Sequence, residues 1–372
     1  MNVINVMWAG GSPYASVHKV HQQILSFADS GASINTWLLQ GKATGCIGDI
    51  GKYREWHLPH RLLKGRHVWA VLKRWMQARL RKAVAASGAQ VLLLDGIGVA
   101  RMLLPALVDL DDIRVIVIFH GVTRLRASDR ALLRAFPSSR LALVAVSRTL
   151  ATDLQEDLNL SVMALRSALE PTNFCSRLLS RDAARRELAI NEPNVKVMGA
   201  VGRLVADKGF DYLLEAFSTA LKEQSDLRLV IVGEGPDRLV LERQIRRHGL
   251  ESKVMLPGHR NGLDRCYRAF DWLLIPSREE GLGLVLQEAV MAGVPVLVSD
   301  LTVFREQLGD AGFYAAAGDQ RGWAQAIARC ASLDAKQVSE SQFRALSPEA
   351  AWQRFSLESR LLLSSKPASG RQ

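Results

Sequence analysis

Two carboxylates stand eight residues apart in REEGLGLVLQEAVMAGVPVLVSD, residues 278–300. Glu280 precedes a Gly-Leu-Gly turn, and Glu288 lies about one turn inside the small-residue helix expected after it. A carboxylate can accept two hydrogen bonds, which suits a pair of vicinal hydroxyls. Gly281, Leu282 and Gly283 let the chain turn closely under a ligand. The amides of Gly283 and Leu284 then face outward at a helix start, where anions are favoured. The ordinary alternative is that both acids balance the helix N-terminus. Upstream, GRLVADKGFDYLLEAF (202–217) sets Arg203 after an apolar strand and Lys208 just before the next helix. Two cations at such a junction, helped by helix amides, suit a diphosphate. The alternative is a pair of solvated charges.

The surrounding pattern is strand, helix, strand, helix, repeated. Apolar runs of strand length occur at 3–8, 32–39, 91–94, 115–119 and 141–146, with a helix at 16–30 stopped by Gly31. Near-continuous Val, Ile and Leu, rather than alternation, indicates parallel strands buried on both faces. A polar stretch at 166–192, broken by Pro171 and Pro193, marks a junction. The pattern restarts with strands at 195–204, 227–233, 253–258, 272–277 and 295–300 and helices at 207–224, 236–249, 263–269 and 283–292. The expected architecture is α/β: two Rossmann-like domains with parallel sheets facing across a cleft. The boundaries read as 1–166, 167–346, and a C-terminal helix with a polar tail at 347–372 that packs back on the first domain.

At 372 residues the chain is too long for one ordinary core. No apolar stretch is long enough to span a membrane, and the N-terminus reads as a strand and a glycine turn rather than a signal peptide. Cys46, Cys175, Cys266 and Cys330 are scattered without a C-x-x-C pair, which suits reduced thiols and a cytoplasmic location. Net charge is +11, all of it in the first half: residues 1–150 carry +12 and residues 151–372 carry −1. Lys52–Lys82 holds ten basic residues against Glu55 alone, with Tyr53, Trp56, Trp69 and Trp75 interleaved. An anionic partner is expected there. Nucleic acid is disfavoured because no nucleic-acid-binding module accompanies the charge. Residues 66–86 read as an amphipathic helix with Val68, Leu72, Trp75 or Met76, and Ala83 on its apolar stripe. Trp and Lys/Arg in that arrangement suit an anionic membrane surface, and the ordinary alternative is a stripe packed on the core.

Four ordered pieces, AGG (9–11), GRLVADKGFDYLLEAF, GEGPDRLVL (233–241) and the 276–300 segment, resemble the retaining glycosyltransferases of the GT-B fold, the family called glycosyl transferases group 1. AGGSPY is not a dinucleotide fingerprint, which disfavours an NAD-dependent enzyme. The resemblance implies transfer of a sugar from a nucleoside-diphosphate sugar to a saccharide or glycolipid acceptor, without a metal or other cofactor. It places Arg203 and Lys208 on the diphosphate, Glu280 by the reacting carbon, and Glu288 on the ribose hydroxyls. Gly10 and Gly11 approach the donor from the other domain, and His120, at the end of its strand, lines the reacting sugar. His18 and His21, on the first helix, read as surface residues, with the alternative that His18, close in sequence to Gly11, touches the cleft. The acidic cluster at 109–112 reads as a turn rather than a metal site. Asp95 stands where many members of the family carry a His, and RSALEPTNF replaces their usual Asn-Gly turn at the junction, which bears on the acceptor and the hinge. With the basic first domain, the resemblance implies a lipid-linked acceptor such as lipopolysaccharide core or a polysaccharide precursor, and a peripheral position on the inner face of the cytoplasmic membrane. The competing readings are a nucleotide-sugar epimerase or hydrolase on the same scaffold, and a non-catalytic glycolipid-binding protein.

Overall fold

The computed structural model describes residues 1–10, 15–43, 50–59, 68–192 and 195–364. Backbone contacts divide the chain into two units. One comprises Met1–Ser167 together with the stretch from Gln353 onward, and the other Ala168–Trp352.

The first unit is built on seven parallel strands: β1 (Asn2–Ala9), β2 (Ser33–Gln40), β3 (Lys52–Glu55), β4 (Val91–Asp95), β5 (Arg114–Phe119), β6 (Leu141–Ala145) and β7 (Met163–Ala164). Their order is β3-β2-β1-β4-β5-β6-β7, so the winding direction reverses between β1 and β4. In β4 and β5, Val91–Leu94 and Val115–Phe119 are buried without interruption, as a sheet covered on both faces requires. The C-terminal helix Pro348–Leu363 buries Phe355 in this unit, edge-on to Phe27. Arg114 fastens its end by donating from Nη1 to the carbonyls of Leu362 and Ser364, both at 2.9 Å.

The second unit repeats the plan with β8 (Lys196–Val201), β9 (Leu227–Val232), β10 (Val254–Gly258), β11 (Trp272–Ile275), β12 (Val296–Ser299) and β13 (Phe313–Ala315), in the order β10-β9-β8-β11-β12-β13. The reversal falls between β8 and β11. Loops leaving the carboxyl ends of two such neighbours diverge to opposite faces and leave a crevice where α/β sheets bind ligands.

Several elements differ from the sequence-based expectation, the first helix among them: it ends at Leu25 rather than at Gly31. The segment 263–269 is two 3-10 turns, Leu263–Arg265 and Tyr267–Ala269. Cys266, at φ −104° and ψ 3°, leaves the helical backbone and separates the two turns. The helix expected over 207–224 breaks at Gly209, which has φ +67° and separates the turn Ala206–Lys208 from the helix Phe210–Ala220. In the basic helix, Val68–Ser87, the buried side chains among those described are Met76, Leu80 and Val84. Of the expected stripe, Met76 is buried and Ala83 half-buried, whereas Leu72 and Trp75 are 40% and 56% exposed, so only part of it faces the core; the Val68 side chain lies outside those described. The uncharged i, i+4 series Leu72, Met76, Leu80, Val84 turns inward only from Met76 onward, whereas Trp75 shares its row with Arg79, whose guanidinium lies 5.8 Å from the Trp75 ring.

Candidate active site

The switch point of the second unit brings Lys208 and Glu280 together. Lys208 follows β8, Glu280 follows β11, and Lys208 Nζ lies 2.5 Å from Glu280 Oε2. The same carboxylate oxygen accepts from Ser277 Oγ at 3.3 Å. The two loops are stitched by Arg278. Its amide donates to the Asp207 carbonyl at 2.7 Å, its guanidinium forks onto both Asp211 carboxylate oxygens at 2.8 Å, and Nη1 reaches the Ala206 carbonyl. The Tyr212 hydroxyl donates to the Pro276 carbonyl from below. Gly209 is the hinge of this junction. A Cβ there would lie 2.0 Å from the Pro276 oxygen, in a left-handed backbone that L side chains resist, so only glycine lets the loops close. Arg203 is exposed and has no ion pair among the described residues. The junction therefore holds one cation ready and one already engaged by a carboxylate.

The Gly-Leu-Gly turn is pinned from beneath. Leu282 is buried, and its carbonyl accepts from Gln307 Nε2 at 2.5 Å. Gln307 Oε1 in turn accepts from Gln287. Gly281 is also buried. Gly283, at φ +80°, packs against Phe304, where a Cβ would come within 2.6 Å of the ring. It caps the helix Leu284–Met291, so the Leu284 amide belongs to that helix's first turn. Glu288 accepts a 2.7 Å hydrogen bond from the Tyr267 hydroxyl. Burial, and then the neighbouring Glu288 charge, hold the Tyr267 phenol well above its ordinary pKa, so it remains a donor. Tyr267 was not singled out from the sequence. A lone tyrosine in a 3-10 turn carries no spacing signal that could have found it.

In the first unit, Gly10 follows β1, and its amide donates to the Gln40 carbonyl at 3.0 Å. A Cβ on it would lie 2.2 Å from the carbonyl oxygen of Lys42, in the loop after β2, so the close approach of that loop already demands glycine there. Gly11 lies outside the described residues, as does Cys46. His120 follows β5 and meets three groups that the sequence did not assemble. Its Nε2 is 2.9 Å from His21 Nε2 and 3.8 Å from Asp95 Oδ1. His21 Nδ1 lies 2.6 Å from Asn5 Oδ1, and Asp95 Oδ2 accepts from the Trp8 amide at 3.1 Å. The expectation that His18 and His21 face solvent is incorrect: they are 1% and 0% exposed. Polar partners on the sheet draw them inward, Asn5 for His21 and the Ala9 carbonyl, at 2.9 Å, for His18. Burial lowers the His120 pKa to about 3 and holds His21 well below the ordinary range, aided by neighbouring histidines. Burial raises Asp95 to about 6, opposed by the Trp8 amide. At neutral pH both imidazoles are therefore uncharged and Asp95 is mostly ionised. The ligating atoms of His21, Asp95 and His120 fall within 4.8 Å of one another. They could hold a divalent cation only after losing the proton that the 2.9 Å nitrogen–nitrogen contact requires.

Among known proteins, residues 180–342 match the family Glycosyl transferases group 1. The matched segment makes up most of the second unit. Two curated relatives align over the same order of length. An uncharacterized glycosyltransferase of Methanocaldococcus jannaschii is 38% identical over 119 residues, 32% of this chain and 30% of the relative. The lipopolysaccharide core biosynthesis mannosyltransferase LpsB of Rhizobium meliloti is 30% identical over 128 residues, 33% of this chain and 36% of the relative. The aligned stretch thus spans about a third of each relative's length. Among solved structures, Anabaena Alr3699/HepE in complex with UDP and glucose is similar with a TM-score of 0.74 at 17% identity, over 98% of both chains. The fold is GT-B. Arg203, Lys208, Glu280 and Glu288 lie inside the glycosyl transferases group 1 segment, and Gly10 and His120 lie outside it.

Proposed function

We propose that the protein is a retaining, metal-independent glycosyltransferase that moves a sugar from a nucleoside diphosphate to a saccharide acceptor. The observation that carries this reading is the Lys208–Glu280 junction at the switch point of a glycosyl transferases group 1 unit. As the bond between the anomeric carbon and the diphosphate breaks, negative charge grows on the leaving oxygens. Arg203, Lys208 and the first amides of the helix after Gly283 supply positive charge where a metal otherwise would. Glu280 lies close enough to Lys208 to steady the sugar while the cation holds the phosphate. Glu288, oriented by Tyr267, binds the ribose hydroxyls. The acceptor hydroxyl attacks the face from which the diphosphate departs, and its proton passes to a leaving phosphate oxygen. The first unit, which carries Gly10 and His120, is proposed to bind the acceptor. The mannosyltransferase activity of the Rhizobium meliloti relative, and the UDP and glucose held by the Anabaena protein, support a nucleotide-sugar donor.

A thermal-shift panel of UDP, GDP, ADP and dTDP tests the reading. The matching nucleotide at about 100 times its Kd should raise Tm by about 5–10 °C. Product analysis with and without a saccharide acceptor then separates transfer from hydrolysis or epimerisation. No shift with any nucleotide, or free sugar as the sole product, would remove the proposal.

The acceptor is read as lipid-linked, presented at an anionic membrane surface. No helix among the described residues is long and apolar enough to cross a membrane. Exposed Leu72 and Trp75 rise from a helix that also carries Lys73, Arg74, Arg79, Arg81 and Lys82. Beside it, Trp37, Arg54, Trp56, Arg79 and Lys82 line a cavity of about 540 Å³. The Arg54 guanidinium sits 4.3 Å over Trp56 and 5.5 Å over Trp37. Each Lys or Arg near an anionic surface adds about 1 kcal/mol. The protein should therefore float with phosphatidylglycerol vesicles at low salt and not with phosphatidylcholine vesicles. Trp75→Ser together with Arg79→Ser should reduce the floating fraction, and equal flotation with both lipids would count against the surface.

A further inference from the structure

We infer that Asn5 and His21 are positioning residues for His120. Through a one-way hydrogen-bond relay they fix His120 as the tautomer with Nε2 protonated and Nδ1 bare, so that it presents Nδ1 as an acceptor to a substrate hydroxyl. The inference deepens the assignment of His120 made under the proposed function.

The relay starts from an oddity of β1. In NVINVMWA the buried positions are apolar except Asn5, which is 0% exposed. A buried amide without partners costs about 1–3 kcal/mol, so its neighbours must explain it. Asn5 Nδ2 donates to Thr36 Oγ1 at 3.2 Å, which turns Oδ1 toward His21. Two acceptors cannot face each other at 2.6 Å, so His21 Nδ1 carries a proton toward Asn5 Oδ1. His21 is buried and neutral, which leaves its Nε2 bare. That nitrogen faces His120 Nε2 at 2.9 Å, and one proton must lie between them. It belongs to His120.

Asp95 selects the same direction independently. Its Oδ1 is 3.8 Å from His120 Nε2, and its other oxygen is occupied by the Trp8 amide. With the Asn5 amide turned over and the relay reversed, the His120 Nε2 lone pair would face a carboxylate, which is repulsive. With the proton on His120, the N–H faces both the imidazole and the anion. A neutral His120 protonated at Nε2 has a bare Nδ1. The side chain remains 14% exposed, enough to receive one hydroxyl.

The test uses the full-length protein labelled with ¹⁵N-histidine. Long-range ¹H–¹⁵N spectra at pH 7, assigned with the His21→Leu and His120→Gln variants, should show His21 protonated at Nδ1 and His120 protonated at Nε2 only. The opposite tautomer in either ring overturns the relay. So does one equivalent of zinc retained through dialysis and lost in His21→Leu, since both Nε2 atoms would then be ligands with no proton between them. In turnover, His21→Leu should lower kcat about ten- to a hundredfold, by analogy with the loss of the outer partner that orients a metal-bound histidine, with little change in donor KM. His21→Gln, whose side-chain oxygen can accept from His120 Nε2, should recover most of that loss. Melting curves establish that both variants fold. Unchanged kcat in a folded His21→Leu variant overturns the positioning role. Absence of nucleotide-sugar turnover in the unsubstituted protein would instead defeat the proposed function, and the tautomer spectra would still decide the relay.

Discussion

Glu280→Ala is expected to lower kcat about a hundred- to a thousandfold, the range for removing one preorganised polar group from a reacting centre. It should do so without weakening nucleotide binding. Lys208 Nζ is held 2.5 Å from Glu280 Oε2, and the carboxylate is 16% exposed against 27% for the amine. A diphosphate arriving at Lys208 must compete with that carboxylate, so deleting it frees the cation. UDP, or whichever nucleotide the panel selects, should bind equally or up to about fivefold more tightly, the scale of a partly exposed ion pair. Steady-state kinetics at saturating donor and calorimetry with the nucleotide alone read the two effects separately. Turnover within tenfold of the unsubstituted protein would remove Glu280 from the chemistry. A parallel loss of nucleotide affinity would mean that the carboxylate supports the loop rather than the sugar.

How much of this was legible in the chain follows from the kind of information each residue carries. The parallel sheets could be read because Val91–Leu94 and Val115–Phe119 are uninterrupted apolar runs, and burial on both faces writes itself directly into composition. The edge strands β3 and β13 were not anticipated. KYRE and FYA are short, and β3 at the sheet margin carries charge as edges do. Lys208 and Glu280 could be chosen by type and by their places at strand ends, but their mutual contact could not. It depends on β11 lying beside β8 rather than beside β10, an adjacency that no local spacing encodes. The histidines show the opposite failure. His21 on a helix with Lys19 nearby reads as solvated, and only the register that lays this helix over Asn5 reveals a buried acceptor. Tyr267 and Gln307 belong to the same class. They hold Glu288 and the Gly-Leu-Gly turn through contacts whose partners are remote in sequence.

The second large effect concerns the two cations and is best read as a cycle. Arg203 is exposed and has no ion pair among the described residues, so its attraction for a diphosphate is opposed by nothing that must first be broken. Lys208 differs, because its charge is already balanced by Glu280. Arg203→Ala should therefore raise the nucleotide Kd about ten- to a hundredfold, the value of a charge-assisted hydrogen bond to phosphate. Lys208→Ala in the otherwise unsubstituted protein should raise it only about tenfold, because part of the lysine's attraction is spent against the carboxylate. In a Glu280→Ala background the same Lys208→Ala change should cost about fiftyfold, since the freed amine then acts at full strength. Groups in direct contact are expected to be non-additive in this way, and the sign is diagnostic. Lys208→Arg should restore binding incompletely, because a planar fork does not replace a compact point charge beside Glu280. Calorimetric titration of the four proteins at one fixed salt concentration supplies the cycle. If Lys208→Ala costs the same in both backgrounds, the ion pair is a bystander, and the diphosphate is held by Arg203 and the helix amides without it.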